Sequence, residues 1–141
     1  MVKAANGLCL DVVENTENAL KITPDKKEIK LYAHKCGEGS EKFNYIEEVD
    51  GDIRLVHTET GACVYPQEKA TTLALRACDR GEDMFWRINA KSANADQFYV
   101  APRDACMVLP APPTGSAEYL EAGIANCSIV PNDSTLLELT K

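Results

Sequence analysis

The chain has 141 residues, of which 45% are hydrophobic, and it carries a net charge of −7 with a pI of about 4.8. This length suits one domain with a single core, and the hydrophobic content excludes an intrinsically disordered chain. A negative chain lacks the basic face that nucleic-acid binding needs, so nucleic acid is not expected as a partner. No run of about 18 apolar residues occurs, so membrane insertion is not expected either.

The predicted secondary structure is a succession of short β-strands. In several segments apolar residues alternate with other residues, which is typical of half-buried strands. These segments are residues 29–32, 53–56, 72–75 and 98–100. Turn signals separate the strands, among them Asn6-Gly7, Asp50-Gly51 and Thr60-Gly61. No amphipathic helix of useful length is present, and many short strands at even spacing predict a β-sandwich or a β-barrel.

The six cysteines divide the chain into three units of the same plan, predicted to span approximately residues 1–48, 49–92 and 93–141. In each unit a turn precedes the first cysteine, an apolar strand precedes the second, and an aromatic or leucine-rich segment ends the unit. A repeat of about 40–50 residues is typical of folds built from copies of one small element. Because no unit can bury its apolar face alone, the repeat predicts a barrel with threefold pseudosymmetry and four strands in each unit.

The same repeat predicts how the cysteines pair. Six cysteines can pair in many ways, and the regular arrangement joins the two cysteines within each unit. No Cys-x-x-Cys or Cys-x-x-His spacing occurs, so neither a zinc site nor a redox motif is expected. Three disulfides predict an oxidising compartment and hence a secreted, surface or vesicular protein. The predicted bridges are Cys9–Cys36, Cys63–Cys78 and Cys106–Cys127.

Two insertions break the regularity of the repeat. Residues 14–28 separate strands of unit one, and residues 110–116 lie at the matching place in unit three. Loops on a rigid scaffold often carry binding surfaces, although long insertions are also tolerated at little cost in stability. A protein partner bound through these two loops is therefore one hypothesis for function.

The residues around the first cysteine pair resemble a unit of the ricin B-type lectins. The run Cys9-Leu10-Asp11-Val12, followed by Cys36 and an aromatic-rich end, is similar to the pattern of that family. The family's Gln-x-Trp ending survives only in part, as Phe85-Trp86 in unit two. The resemblance implies an all-β β-trefoil fold. It also implies carbohydrate binding, as in a lectin or the glycan-binding part of a toxin or of a cell-adhesion protein.

The resemblance further implies where a sugar would bind. In the family, an Asp near the first cysteine accepts hydrogen bonds from sugar hydroxyls, and a ring two residues before the second cysteine stacks on the sugar. Carried over to unit one, these residues are Asp11 and His34, with Tyr32 and Glu41 nearby. The predicted partner is then a glycan or glycoprotein on a cell surface. The alternative for Asp11 is a local bond to backbone N–H groups, which is common for this residue.

Units two and three depart from this pattern. The position of the Asp is occupied by Tyr65 in unit two and by Val108 in unit three. The position of the ring is occupied by Arg76 and Ala125, respectively. Neither unit is expected to bind sugar in the family's way, so the sequence predicts at most one such site, in unit one.

Catalytic chemistry is not evident in the sequence. His34 and His57 are the only histidines, and neither stands in a recognisable motif with an activated nucleophile. No enzymatic activity, cofactor or metal is therefore predicted. Three functions stay open: sugar binding in unit one, protein binding by a trefoil that has lost sugar binding, and protease inhibition through the rigid segment Pro110-Ala111-Pro112-Pro113.

Overall fold

The computed structural model describes residues 1–12, 28–37, 42–47, 51–66, 71–78, 86–92, 95–100, 105–113, 119–127 and 137–139. These residues form one antiparallel system of 13 strands. The strands are β1 (Val2–Ala4), β2 (Leu8–Asp11), β3 (Ile29–Lys30), β4 (Tyr32–Lys35), β5 (Phe43–Glu47), β6 (Ile53–His57), β7 (Cys63–Pro66), β8 (Leu73–Arg76), β9 (Trp86–Ser92), β10 (Ala95–Val100), β11 (Ala105–Val108), β12 (Gly123–Asn126) and β13 (Leu137–Leu139). None of the described residues forms a helix long and apolar enough to span a membrane.

Three β-hairpins repeat along the chain, one in each unit. They are β2–β4, β7–β8 and β11–β12. In each hairpin the first cysteine lies on the first strand and the second cysteine follows the second strand within two residues, so a disulfide joins the two strands at the end away from their connecting loop. The Cα–Cα distances are 5.2, 5.1 and 5.0 Å for Cys9–Cys36, Cys63–Cys78 and Cys106–Cys127. The three predicted disulfides are confirmed.

Strands β1, β5, β6, β9, β10 and β13 pair around a barrel. Hairpins β5–β6 and β9–β10 join consecutive units, and β1 pairs with β13, which brings the two ends of the chain together. Further contacts link β6 to β9 and β10 to β13. The barrel strands with the three hairpins over one end form the predicted β-trefoil.

The three hairpins meet at the pseudo-threefold axis through the strands that precede the second cysteines. Antiparallel pairs at equivalent positions join each two units: Lys30 with Ala74, Thr72 with Gly123, and Glu121 with Tyr32. The approach is close at Gly123, where a Cβ atom would overlap the carbonyl oxygen of Thr71. A glycine is therefore required where units two and three meet.

The inner faces of the three hairpins are equivalent and fill the core. Two positions in each unit, one directly after the first cysteine and one five residues before the second, are fully buried. These residues are Leu10, Val64 and Met107 at the first position and Leu31, Leu73 and Ala122 at the second. Each large apolar side chain buried in this way contributes about 1.5–3 kcal/mol to the free energy of folding.

The segments predicted to end the units also enter the core. Phe43, Trp86 and Leu137 are almost completely buried. Phe43 lies opposite His57 between β5 and β6, and Trp86 lies opposite Val100 between β9 and β10. The Trp86 indole donates a hydrogen bond to the Val64 carbonyl at 3.3 Å, which satisfies its buried N–H group.

The turns before the first cysteines have the predicted backbone in units one and two. Gly7 and Gly61 have φ angles of 90° and 71°, a region that favours glycine. Asp104, at the matching place in unit three, lies outside the described residues. The same holds for most of the 14–28 insertion and for residues 114–116.

Candidate functional site

The outer face of the unit-one hairpin brings together three of the four predicted site residues. Because side chains alternate along a strand, the buried Ala33 faces the core, and Tyr32 and His34 lie on the opposite side of β4. Asp11 lies directly opposite Tyr32 across the β2–β4 pair, so it shares this outer face. The fourth predicted residue, Glu41, lies outside the described residues.

Asp11 lies beneath His34. The Asp11 side chain is 0% exposed, His34 is 14% exposed, and His34 Nδ1 lies 3.5 Å from Asp11 Oδ2. The same nitrogen lies 3.3 Å from the Lys35 carbonyl oxygen. Because two oxygen acceptors face Nδ1, we assign the proton of the neutral ring to Nδ1, which leaves Nε2 as the acceptor. The Lys35 carbonyl and the Asp11 carboxylate thus both lie beside the Nδ1 edge of the imidazole.

A residue of unit three completes this face. The rings of Tyr119 and His34 lie with their centroids 4.3 Å apart and their planes inclined by 50°. The backbone explains the contact, because Ala33 N donates to Leu120 O at 3.0 Å and Tyr32 pairs with Glu121. The β-strand pairing at the pseudo-threefold axis thus carries Tyr119 to the side of His34. Sequence reasoning missed Tyr119, since its role depends on a contact between units.

Unit two presents a charged group at the same place. The Arg76 guanidinium lies over the Tyr65 ring, with its carbon 4.6 Å from the ring centroid. Arg76 Nε also lies 3.7 Å from Glu28 Oε1, and these two side chains are 38% and 40% exposed. Tyr65 and Arg76 occupy the positions that Asp11 and His34 occupy in unit one.

The contacts between units on the outer faces of units one and two involve equivalent positions. Counted back from the second cysteine of its own unit, Glu28 stands at the same position as Tyr119. Tyr119 of unit three contacts His34 of unit one, and Glu28 of unit one contacts Arg76 of unit two. Each of these outer faces is therefore built from two units.

Unit three offers no charged or aromatic side chain at these positions. Val108 and Ala125 are both half-buried, and they lie on neighbouring strands of the β11–β12 hairpin. Two short aliphatic side chains provide neither a hydrogen-bonding group nor a ring.

Comparisons with known proteins identify the fold of the chain but not its family. No protein-family model matches the chain, and no curated protein matches it in sequence. Among solved structures, the designed threefold symmetric protein ThreeFoil aligns with a TM-score of 0.72 at 16% identity, covering 99% of this chain and 96% of that chain. The cytolethal distending toxin of Haemophilus ducreyi aligns with a TM-score of 0.73 at 15% identity, covering 98% of this chain and 80% of that chain.

A proteinase inhibitor from Coprinopsis cinerea aligns with a TM-score of 0.65 at 16% identity, covering 98% of this chain and 94% of that chain. At such low identity the alignments establish the β-trefoil fold alone. Membership of the ricin B-type lectins stays a prediction.

Proposed function

We propose that the chain is a secreted carbohydrate-binding module, without enzymatic activity, whose site for a neutral sugar lies on the outer face of unit one. The observation that supports this proposal most directly is the pair of rings, His34 and Tyr119, with centroids 4.3 Å apart beside Tyr32. Aromatic rings at a partly exposed surface bind the apolar C–H face of a pyranose, and their polar atoms bind its hydroxyls. The three disulfides support an oxidising compartment.

Asp11 acts through His34 in this proposal. Its carboxylate is fully buried 3.5 Å from the imidazole, so a sugar hydroxyl cannot reach it without movement of the side chains that cover it. We therefore assign Asp11 as a positioning residue that orients the ring. His34 Nε2 then accepts a hydrogen bond from the sugar, and the hydroxyls of Tyr32 and Tyr119 donate or accept further bonds. The direct bond from Asp11 to a sugar hydroxyl, as the resemblance implies, stays a prediction.

A glycan array tests the proposal with three variants of one face. His34→Ala and Tyr119→Ala are each expected to weaken binding about tenfold, because a lost aromatic contact is worth about 1–1.5 kcal/mol. Asp11→Asn keeps the shape but removes the charge that orients His34, and a smaller loss of about threefold is expected. Arg76→Ala is the matched control on unit two and should leave the array signal of neutral glycans unchanged.

Two outcomes of this experiment would contradict sugar binding on the outer face of unit one. An array without signal for the folded wild-type protein would contradict the proposal. So would equal signals for wild type, His34→Ala and Tyr119→Ala, with circular dichroism showing that all three are folded.

One observation favours protease inhibition as the second candidate. The Asn6 side chain donates a hydrogen bond to the carbonyl of the buried Leu109 at 2.7 Å, which anchors the base of the segment Pro110–Pro113. An anchored, proline-rich loop can enter a protease cleft without losing conformational freedom on binding. Inhibition assays against serine and cysteine proteases test this candidate. An unchanged protease activity at saturating protein would exclude the enzymes tested, and inhibition lost in Asn6→Ala would support the loop.

A further inference from the structure

The geometry points to a second site of different chemistry: we propose that the outer face of unit two binds a saccharide that carries a carboxylate group. The residues are Arg76, Tyr65 and Glu28. None of them belongs to the neutral-sugar site of unit one, so the two proposals can be tested independently.

The contact with Tyr65 positions the Arg76 side chain to bind a carboxylate. Its guanidinium carbon lies over the Tyr65 ring, 4.6 Å from the ring centroid, and its side chain is 38% exposed. Stacking on an aromatic ring restricts the guanidinium while its N–H donors stay at the edge of the plane. A planar guanidinium matches a carboxylate with two parallel hydrogen bonds, which are stronger than bonds between neutral groups.

Glu28 distinguishes a saccharide from a simple anion. Glu28 Oε1 lies 3.7 Å from Arg76 Nε, which is longer than a hydrogen bond, and both side chains are more than a third exposed. Such an ion pair contributes little and does not prevent a second carboxylate from binding the guanidinium. The Glu28 carboxylate repels a bare inorganic anion, but it accepts hydrogen bonds from hydroxyl groups. A ligand with one carboxylate and several hydroxyls uses both side chains.

The corresponding face of unit one does not suit this ligand. There the buried carboxylate of Asp11 occupies the place of Tyr65, and His34 occupies the place of Arg76. The unit-one face has no guanidinium at this place to pair with a carboxylate, so we expect the two faces to select saccharides of different charge.

The test is a titration of isotope-labelled protein followed by the amide resonances of β7 and β8. The two acidic probes are N-acetylneuraminic acid and methyl glucuronide. The uncharged counterpart of N-acetylneuraminic acid is its methyl ester, and that of methyl glucuronide is methyl glucoside. The acids should shift the amides of Val64, Tyr65 and Leu73–Arg76 at millimolar concentration. The uncharged counterparts should bind about tenfold more weakly, since a charge-assisted pair is worth at least about 1.4 kcal/mol. Sodium sulfate should bind more weakly than either acid.

Variants assign the binding to these residues. Arg76→Gln should abolish the shifts, and Arg76→Lys should weaken binding several-fold because an ammonium cannot make the parallel pair of bonds. Glu28→Gln should strengthen sulfate binding more than acid-saccharide binding. His34→Ala is the matched control and should leave the unit-two shifts unchanged.

Four results would overturn the proposal. The first is that neither acid shifts the unit-two amides, and the second is that acid and uncharged counterpart bind equally. Sulfate could bind as tightly as the acids, which would indicate a simple anion site, or Arg76→Gln could bind like the wild type. Each of these results leaves the glycan-array test of unit one unaffected.

Discussion

The inner and outer faces of the three hairpins have diverged to very different degrees. On the inner faces, equivalent positions are all apolar and fully buried, with Leu31, Leu73 and Ala122 as one set. On the outer faces, one unit carries His34 over Asp11, the next carries Arg76 over Tyr65, and the third carries only aliphatic residues. A change in a packed core costs several kcal/mol, whereas most surface changes cost less than about 0.5 kcal/mol. The shared scaffold therefore permits different binding chemistry on each unit.

The outer faces also differ from the inner faces in how they are assembled. Tyr119 reaches unit one from unit three, and Glu28 reaches unit two from unit one. A single unit accordingly carries only part of a candidate site. The pseudosymmetry of the hairpins predicts which residue is the partner, because both contributors stand at equivalent positions.

The largest change in the free energy of unfolding is expected for core substitutions, which test whether the inner faces of the three hairpins are equivalent. Leu31→Ala and Leu73→Ala should each lower the free energy of unfolding by about 2–5 kcal/mol, because each opens a cavity in a closed core. Ala122 is already small at this position, and Ala122→Leu should instead cost about 1–3 kcal/mol through overpacking. Urea unfolding followed by tryptophan fluorescence measures all three. A loss for one leucine variant and none for the other would show that the hairpins are not equivalent.

Removal of the disulfides should have the next largest effect. A bridge stabilises mainly by restricting the unfolded chain, and the bridges of units one and two span sequence separations of 27 and 15. The Cys9→Ala/Cys36→Ala variant should lose about 3.5 kcal/mol and the Cys63→Ala/Cys78→Ala variant about 3 kcal/mol. Thermal unfolding of both variants beside the wild type checks the order. A clearly greater loss in unit two would mean that local packing outweighs loop length.

The smallest effect is expected for charges on the outer faces. Glu28→Gln removes the ion pair with Arg76, and Lys30→Gln removes the 3.5 Å pair with Glu121. Because all four side chains are substantially exposed to water, each variant should change the free energy of unfolding by less than about 0.5 kcal/mol. Urea unfolding at low and high salt provides the measurement. A loss above 1 kcal/mol, about the upper end for exposed pairs, would contradict the separation of stability from outer-face chemistry.

Much of the fold was accessible from the sequence by itself. The repeated cysteines predicted the three disulfides, the alternation of apolar residues predicted strands such as 53–56, and Gly7 and Gly61 marked their turns. These features were predictable because strand periodicity, turn conformation and repetition are local properties of the chain. The resemblance to the ricin B-type unit grouped Tyr32 and His34 with Asp11, and in the structure Asp11 lies opposite Tyr32 across the β2–β4 pair.

The tertiary structure decided how the candidate sites are completed. The burial of Asp11 below His34, the contact of Tyr119 with that ring and the pairing of Glu28 with Arg76 all join residues that are distant in sequence. These contacts depend on the pairing of strands from different units at the pseudo-threefold axis, such as Tyr32 with Glu121. The sequence alone thus determined the scaffold and its bridges. Packing between units determined which side chains meet, because that geometry exists only after all three units have assembled.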